Sequence, residues 1–442
     1  MLPSPTDALQ PDSAADSGWN PVQRIGFRLL FSYLVLYIIL VTLIEDLDLL
    51  SDFGFAPGGR LVNAIYAKTW ARLVSWAGMH VLRVNGPLAY ASGGNSDGIF
   101  SYTQLFCIAA VAIFAALVWT LLDRRRTEYY RLNAWLRVGV RYALAFSMLS
   151  YGMAKVYDVQ FRFPGLGGLL TPYGELSPFS LLLAFMGYSR PYAIFAGVSE
   201  VLAGVLVLFR RTATIGAMVG LAVLANVVML DFCYHWPEKL DSTHLLLMSV
   251  FLLGPDLGRL ANCLVLNRIV LPARFEQPSN SRWVRIGRFV AKAAIVIYMV
   301  AMSIMVSLKL ESMSARQSPP LFGIFEVEEF IRNGQAIPPL GTDRARWKTA
   351  VFEDSSRVLI KFMDVDYDYY PAQYDAAASK ITIYTGDKHT DKNVLAYSLP
   401  DRDHLVLRGQ SGSDALFIRL TRSDESKLPL VSDKFKWING NP

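Results

Sequence analysis

Apolar residues in this chain form long blocks as far as about residue 310 and short alternating runs beyond it. The blocks run over Ile25–Ile44, Phe100–Leu122 and Ala134–Lys155, then from Pro191 to Arg210-Arg211, from Ala213 to Leu230, from Pro237 to Gly254-Pro255, and over Phe289–Ser307. Each approaches the ~20 residues that cross a hydrocarbon layer, so the pattern predicts seven spans. Ser177-Pro178 and Ser189-Arg-Pro191 read as helix starts, a capping serine followed by proline in the first turn. Gly254-Pro255 is expected to end or kink the sixth span. Over 61–84, Val62, Ile65, Tyr66, Leu73, Trp76 and Ala77 recur at helical spacing, with Lys68 and Arg72 in the middle. That combination suits one amphipathic helix lying in the membrane interface. Residues 1–20, rich in Pro, Ser, Asp and Ala, are expected to be disordered. Ser92-Gly-Gly-Asn-Ser-Asp-Gly98 lacks the lysine and context of a phosphate loop and reads as a turn.

Past Ser318-Pro-Pro320 the period changes. Val358-Leu-Ile-Lys-Phe, Lys380-Ile-Thr-Ile-Tyr, Asn393-Val-Leu-Ala-Tyr, His404-Leu-Val-Leu-Arg and Ala415-Leu-Phe-Ile-Arg-Leu are β-type runs separated by turn residues. Residues 321–442 therefore predict an antiparallel sandwich or small barrel with its own core. The opening Phe322-Gly-Ile-Phe-Glu-Val resembles the first strand of lipocalin-like barrels, with phenylalanine at the position of their tryptophan. Asp364-Val-Asp-Tyr-Asp368 and Asp375 have carboxylates at calcium-loop spacing, but Tyr369 stands where that loop needs glycine. A polar turn between strands is the expectation.

Composition agrees with this division. Hydrophobic residues make up 53% and charged residues 18%, below the roughly 25% of soluble domains. Residues 321–442 hold 16 Lys and Arg against 18 Asp and Glu, a net of −2, so residues 1–320 carry +8 of a total formal charge of +6. Its clusters, Asp123-Arg-Arg-Arg126, Arg210-Arg211 and the arginines of 256–288, fall on one side if seven spans alternate. Basic loops mark the cytoplasmic face. The implied topology is a multi-pass inner-membrane protein with a cytoplasmic N-terminus and an extracytoplasmic (periplasmic) β domain. No basic stripe interleaved with aromatics is present, which argues against nucleic-acid binding. Cys107, Cys233 and Cys263 are far apart, with no Cys-x-x-Cys, and are expected as small residues of the membrane core.

Ionisable groups inside spans point to a cavity or a partner. Ser147, Tyr151 and Lys155 form one stripe on the third span, and Glu200 lies on the fourth, flanked by Ala196, Gly197, Ala203 and Gly204. Counting from Pro191 puts Glu200 ~13 Å deep, whereas Lys155 ends its helix near the surface. On that estimate a direct Lys155–Glu200 pair is strained, and Tyr151 is the expected partner of Glu200. Asn226, Asp231, His235, Lys239, Asp241 and His244 complete either a polar pocket or a set of interhelical hydrogen bonds and a solvated rim. Their spacing matches no metal-ligand pattern.

The residues also carry a family likeness. Arg137 and Gly139 opening a helix that ends Tyr-Gly152-Met-Ala-Lys155, then Glu200-x3-Gly204 with Arg210-Arg211, then a helix with Asn226, resemble the four-helix core of DoxX-like membrane proteins. The resemblance spans roughly 134–260 and implies a four-helix membrane bundle. DoxX-like members are linked to sulfur-compound oxidation with a quinone acceptor and to membrane redox complexes. More distantly, the bundle resembles the membrane core of vitamin K-dependent carboxylase-like proteins. The resemblance implies a quinone-like lipid as ligand. A carboxylate buried between apolar helices suits proton exchange, so Glu200 is the expected acid, Tyr151 its hydrogen-bond partner, and Lys155 and His235 the polar mouth. Asn226, His235 and His244 would line the ligand site. The domains expected are 1–20, 21–133 with two spans, 134–270 as the DoxX-like core, 271–310 as the last span, and 321–442. The alternative is a non-enzymatic anchor or assembly factor that presents the β domain to an extracytoplasmic protein partner.

Overall fold

The computed structural model describes residues 19–52, 54, 58–84, 88, 97–270, 282–314, 319–343, 345–364, 367–385 and 391–432. The expectations for residues 1–18, for 92–96 of the glycine-rich turn and for Val365 and Asp366 of the acidic motif lie outside them. Two compact units are present: Met1–Tyr157 with Ile194–Lys309, and Asp158–Ala193 with Leu310–Pro442.

In the first unit, α1 (Pro21–Tyr37) opens with a reciprocal cap. The Gln23 N–H donates to the Asn20 side chain at 2.8 Å, and the Asn20 N–H donates to the Gln23 side chain at 3.0 Å. A π-helical turn, Ile38–Thr42, leads into α2 (Leu43–Asp52). The expected single helix over 61–84 is divided into α3 (Gly59–Lys68) and α4 (Trp70–His80). The break falls at Thr69, whose φ of −114° and ψ of −80° leave the helical region. Its hydroxyl donates to Ile65 O at 2.7 Å, the local competition that makes threonine a poor helix-interior residue. The long helices follow as α5 (Ile99–Leu122) and α6 (Tyr130–Val156). In the second unit α7 (Leu166–Leu169) and α8 (Pro178–Tyr188) come next, and Ser177 caps α8 by accepting from Ser180 N at 3.1 Å, as its sequence predicts. Then come α9 (Arg190–Leu208), α10 (Ala213–Cys233) and α11 (Lys239–Leu253). Gly254-Pro255 turns the chain into a 3-10 segment before α12 (Leu257–Leu260), and α13 (Arg282–Ser314) closes the helical part.

Among the described residues, six segments are long and apolar enough to cross a membrane: Pro21–Thr42, Ile99–Leu122, Arg190–Leu208, Ala213–Cys233, Lys239–Val265 and Lys292–Ser312. The chain is a membrane protein. Helix α6 is absent from that set because it carries Arg131, Arg137, Arg141 and Lys155, yet it forms the centre of the bundle. Its Leu136, Val140, Leu144, Ala145, Met148 and Leu149 are buried against Ala203, Val207, Ala217, Leu224, Leu245 and Met248. Small residues permit the approach. A Cβ on Gly152 would stand 2.7 Å from Gly197 O, and one on Gly204 would stand 3.0 Å from Ala145 O.

Arg28, 3% exposed, ties three elements together. It donates to Tyr129 Oη at 2.7 Å, Thr120 Oγ1 at 2.9 Å and Asp123 O at 2.6 Å, and Tyr129 in turn donates to Asp123 Oδ2 at 2.9 Å. Arg28→Met orphans these acceptors in an apolar setting, and a loss of about 3 kcal/mol in unfolding free energy is expected. Denaturant titration in detergent checks it, with Thr120→Val as the milder comparison.

In the second unit the strands are β1 (Gly323–Arg332), β2 (Gln335–Ala336), β3 (Trp347–Phe352), β4 (Arg357–Phe362), β5 (Tyr367–Asp375), β6 (Lys380–Thr385), β7 (Asp391–Ser398), β8 (His404–Ser411) and β9 (Asp414–Ser423). A short α14 (Pro429–Ser432) follows. Successive strands from β3 to β9 pair antiparallel, β1 pairs with β3, and β9 returns to β1 through Phe330↔Ile418 and its neighbours. The sheet therefore closes into an eight-stranded antiparallel β-barrel. The two-residue β2 is hung on β1 through Asn333-Gly334, both at positive φ, the conformation of a tight hairpin turn. Of the two expected architectures, the barrel is the one formed. Asp364 lies in the turn that follows β4, as expected of a polar turn between strands, and Asp368 and Asp375 belong to β5.

Phe325, Phe352, Ile360, Ile381, Leu395, Leu407 and Ile418 fill the barrel interior as a packed core. Lys392, Arg408 and Arg419 project to its exposed side. Apolar inside and polar outside is the reverse of a membrane barrel, so this one faces water. β3 and β4 depart from strict alternation: Val351 and Leu359 are buried on the outer face beneath Leu166 of α7. The Gly167 N–H donates to Glu353 at 3.0 Å, and Lys361 donates to Leu170 O at 2.7 Å. These contacts explain why 158–193, expected from the sequence to lie within the membrane core, groups with the barrel.

Candidate functional site: a polar centre in the helix bundle

The C-terminal end of α6, the first half of α9, the end of α10 and the start of α11 bring their ionisable groups together. Lys155 and Glu200, 5% and 3% exposed, form a direct ion pair, with Nζ 3.0 Å from Oε1 and 3.1 Å from Oε2. This corrects the expectation that such a pair is strained. Helical Cβ atoms lean toward the N-terminus. On antiparallel helices Lys155 and Glu200 therefore lean toward each other, and both reach the level where Gly152 meets Gly197. Depth counted along each axis ignores that lean and the length of the lysine stem. Tyr151 stands by the pair, its ring centroid 6.0 Å from Lys155 Nζ.

Two more carboxylates feel the charge of Lys155: Asp231 at the end of α10 and Glu238 in the loop before α11. Asp231 is 4% exposed, and its Oδ2 meets no hydrogen-bond partner among the described residues. Glu238 is half-buried, and burial raises its pKa from 4.5 to about 7, with Asp241 and Asp231 acting the same way and Lys155 and Trp236 opposing. A carboxyl whose folded pKa lies above its unfolded value holds its proton more tightly when folded. Stability is therefore expected to fall as pH rises from about 4.5 through about 7, and Glu238→Gln to flatten that slope. Thermal unfolding across this pH window in detergent measures it.

A second cluster adjoins the first on α11. The Nδ1 of His244 lies 2.6 Å from Leu240 O, which can only accept, so Nδ1 carries the proton. In the neutral ring Nε2 then accepts from the Tyr33 hydroxyl at 2.7 Å. Tyr37 stacks on the His244 ring at 3.9 Å and donates to Asp241 Oδ1 at 3.0 Å. Asp97 joins from the segment before α5, pairing with Lys239 at 2.8 Å and accepting from Leu240 N at 3.1 Å, which satisfies a donor of the first turn of α11.

Of the residues singled out from sequence, Lys155, Glu200, Tyr151 and His244 lie in or beside this centre. Asn226 is exposed on the surface of α10, and His235 is exposed in a left-handed turn with φ of 57°. Neither reaches the ion pair. Tyr33, Tyr37, Asp97 and Glu238 do not stand out in the sequence analysis. The first two carry a readable signal, two tyrosines one turn apart in an apolar helix. Asp97 carries none, because its partner is far along the chain. Of the cysteines, Cys107 is buried, and Cys233 and Cys263 are exposed.

No family model and no solved structure matches this chain. A stretch of 119 residues, 26% of the chain, is 37% identical to the uncharacterized protein YwoB of Bacillus subtilis (strain 168) and covers 73% of that protein. The chain belongs to the YwoB family. The name YwoB carries no activity, so the chemistry of the site is read from its own groups. Those groups are one buried lysine with three carboxylates around it, one of which titrates near neutrality and another of which has a buried oxygen without a hydrogen-bond partner among the described residues.

Proposed function

We propose that this YwoB-family protein is redox-associated and that its bundle exchanges protons with a quinone-like lipid at the polar centre. The observation that carries the reading is the buried Lys155–Glu200 ion pair, with the buried Asp231 and the half-buried Glu238 within its electrostatic reach. The DoxX-like pattern of 134–260 supplies the ligand class, and α6 is taken as a seventh span. Quinone chemistry couples electrons to protons, so a site for it needs buried donors and acceptors and a route to water. Asp231 Oδ2 fits as the acceptor of a ligand hydroxyl, being a buried polar oxygen without a partner among the described residues. Lys155 and Glu200 would hold and polarise the head group, and Glu238 would pass protons to the aqueous side.

Mass spectrometry of lipids retained by the detergent-purified protein tests this, with wild type compared with Asp231→Asn and Glu238→Gln. A quinone enriched over bulk lipid and lost in Asp231→Asn is expected. Equal, background quinone in all three would defeat the proposal. The second reading, an anchor or assembly factor, is favoured by the barrel: its packed interior and charged exterior suit a protein partner in water. In that case cross-linking on the barrel surface captures a partner, and Asp231→Asn has no effect in cells.

A further inference from the structure

A cavity of about 750 Å³ opens at the other end of the bundle, where α6 begins, α9 ends, α10 begins and α11 runs into α12. Its wall contains five guanidiniums, Arg137, Arg141, Arg210, Arg211 and Arg259, and one carboxylate, Asp256. Asp256 is already engaged, accepting from Thr214 Oγ1 at 2.6 Å and from Arg259 at 3.1 Å. Two of the arginines are held in place by helix ends. Arg137 donates to Leu252 O at 3.2 Å, and Arg141 donates to Val207 O at 3.0 Å and Leu208 O at 2.7 Å. Each carbonyl belongs to the last turn of its helix, where intrahelical donors run out. These bonds engage Nη2 of Arg137 and Nε and Nη2 of Arg141, so each guanidinium keeps further N–H groups for a ligand. Lys292 adds a nearby cation, its Nζ 5.2 Å above the Phe209 ring.

Concentrating five like charges around a void is unfavourable unless an anion is drawn in. Guanidiniums match phosphate oxygens in pairs, and basic pockets between membrane helices take phosphorylated head groups. Depth agrees: Arg137 and Lys155 are eighteen residues apart on α6, or ~27 Å, close to the ~30 Å of a hydrocarbon core. The polar centre and this cavity therefore lie near opposite interfaces. Ala134, Val138, Leu252 and Leu260 give the cavity an apolar flank.

We propose that this cavity binds a phosphate group, carried by an anionic phospholipid or by a soluble phosphate. Cys263 lines it and is exposed, and Cys233, also exposed, sits at the far end of α10 as an internal reference. The full chain in detergent is labelled with a maleimide, and each cysteine is followed by peptide mass spectrometry. Phosphatidic acid, diacylglycerol and inorganic phosphate are added in separate arms. Phosphatidic acid is expected to slow labelling of Cys263 about tenfold at ten times its dissociation constant, leaving Cys233 unchanged. Diacylglycerol, with the same tails and no phosphate, is expected to protect little. Protection by inorganic phosphate as well assigns the soluble source, and protection by the lipid alone assigns the head group. Arg211→Gln, at an exposed side chain, is expected to weaken protection about tenfold, the equivalent of one charge-assisted hydrogen bond. Equal protection by diacylglycerol, or no protection in any arm while Cys263 labels freely, overturns the proposal.

Discussion

Lys155→Met is expected to destabilise the bundle by about 3–5 kcal/mol, and Glu200→Gln by clearly less. The asymmetry follows from the counting of charges around the pair. Glu200 is buried with Lys155 as its cation at 3.0 Å. Removing the lysine leaves that carboxylate without its counter-charge and also strips Asp231 and Glu238 of the positive charge they feel. Removing the glutamate leaves the lysine with two nearby carboxylates. The double variant Lys155→Met with Glu200→Gln should recover part of the loss, since an apolar replacement of a whole buried pair is tolerated better than half of it. Recovery stays incomplete, because Asp231 and Glu238 still lose the positive charge of Lys155. Unfolding of the three variants in one detergent measures the cycle. Equal losses for both single variants would mean that the pair stands alone and that Asp231 and Glu238 do not depend on Lys155.

Much of this arrangement is legible in the amino-acid order. Block length marks the long helices, Ser177-Pro178 marks the start of α8, and the alternating runs after Pro320 mark the barrel strands, because local pattern and local capping decide those features. Barrel closure is not legible: it depends on β9 returning to β1 across most of the domain. The division of 61–84 at Thr69 is hidden too, since the apolar positions on either side keep the helical period. The site shows the same limit. The polar stripe on α6 and Glu200 stand out as ionisable groups in apolar runs. Their pairing does not, because it depends on helix direction, side-chain lean and the close approach at Gly152 and Gly197. Asn226 misleads for the converse reason: a polar residue in a span signals a partner, but not which face of the helix it occupies.

Gly152→Ala carries the second large effect, about 3 kcal/mol or more, with Gly197→Ala close behind. A methyl group on Gly152 would stand 2.7 Å from Gly197 O and 3.0 Å from Val201 N, and one on Gly197 would stand 2.5 Å from Gly152 O. These are backbone atoms, which cannot swing aside as a flexible side chain would, so α6 and α9 must separate. Separation acts on chemistry as well as stability, because the same crossing sets the reach of Lys155 to Glu200. Gly139 on the same helix provides the control. It is exposed, and a methyl group there would meet nothing within 4 Å, so Gly139→Ala should gain up to about 1 kcal/mol from helix propensity alone. Opposite signs for two Gly→Ala changes on one helix would locate the α6–α9 crossing in the native protein. A neutral Gly152→Ala would show that the two helices do not meet there. Disulfide trapping of Ala145→Cys with Gly204→Cys, one further contact along the same crossing, then distinguishes a shifted interface from a separated one.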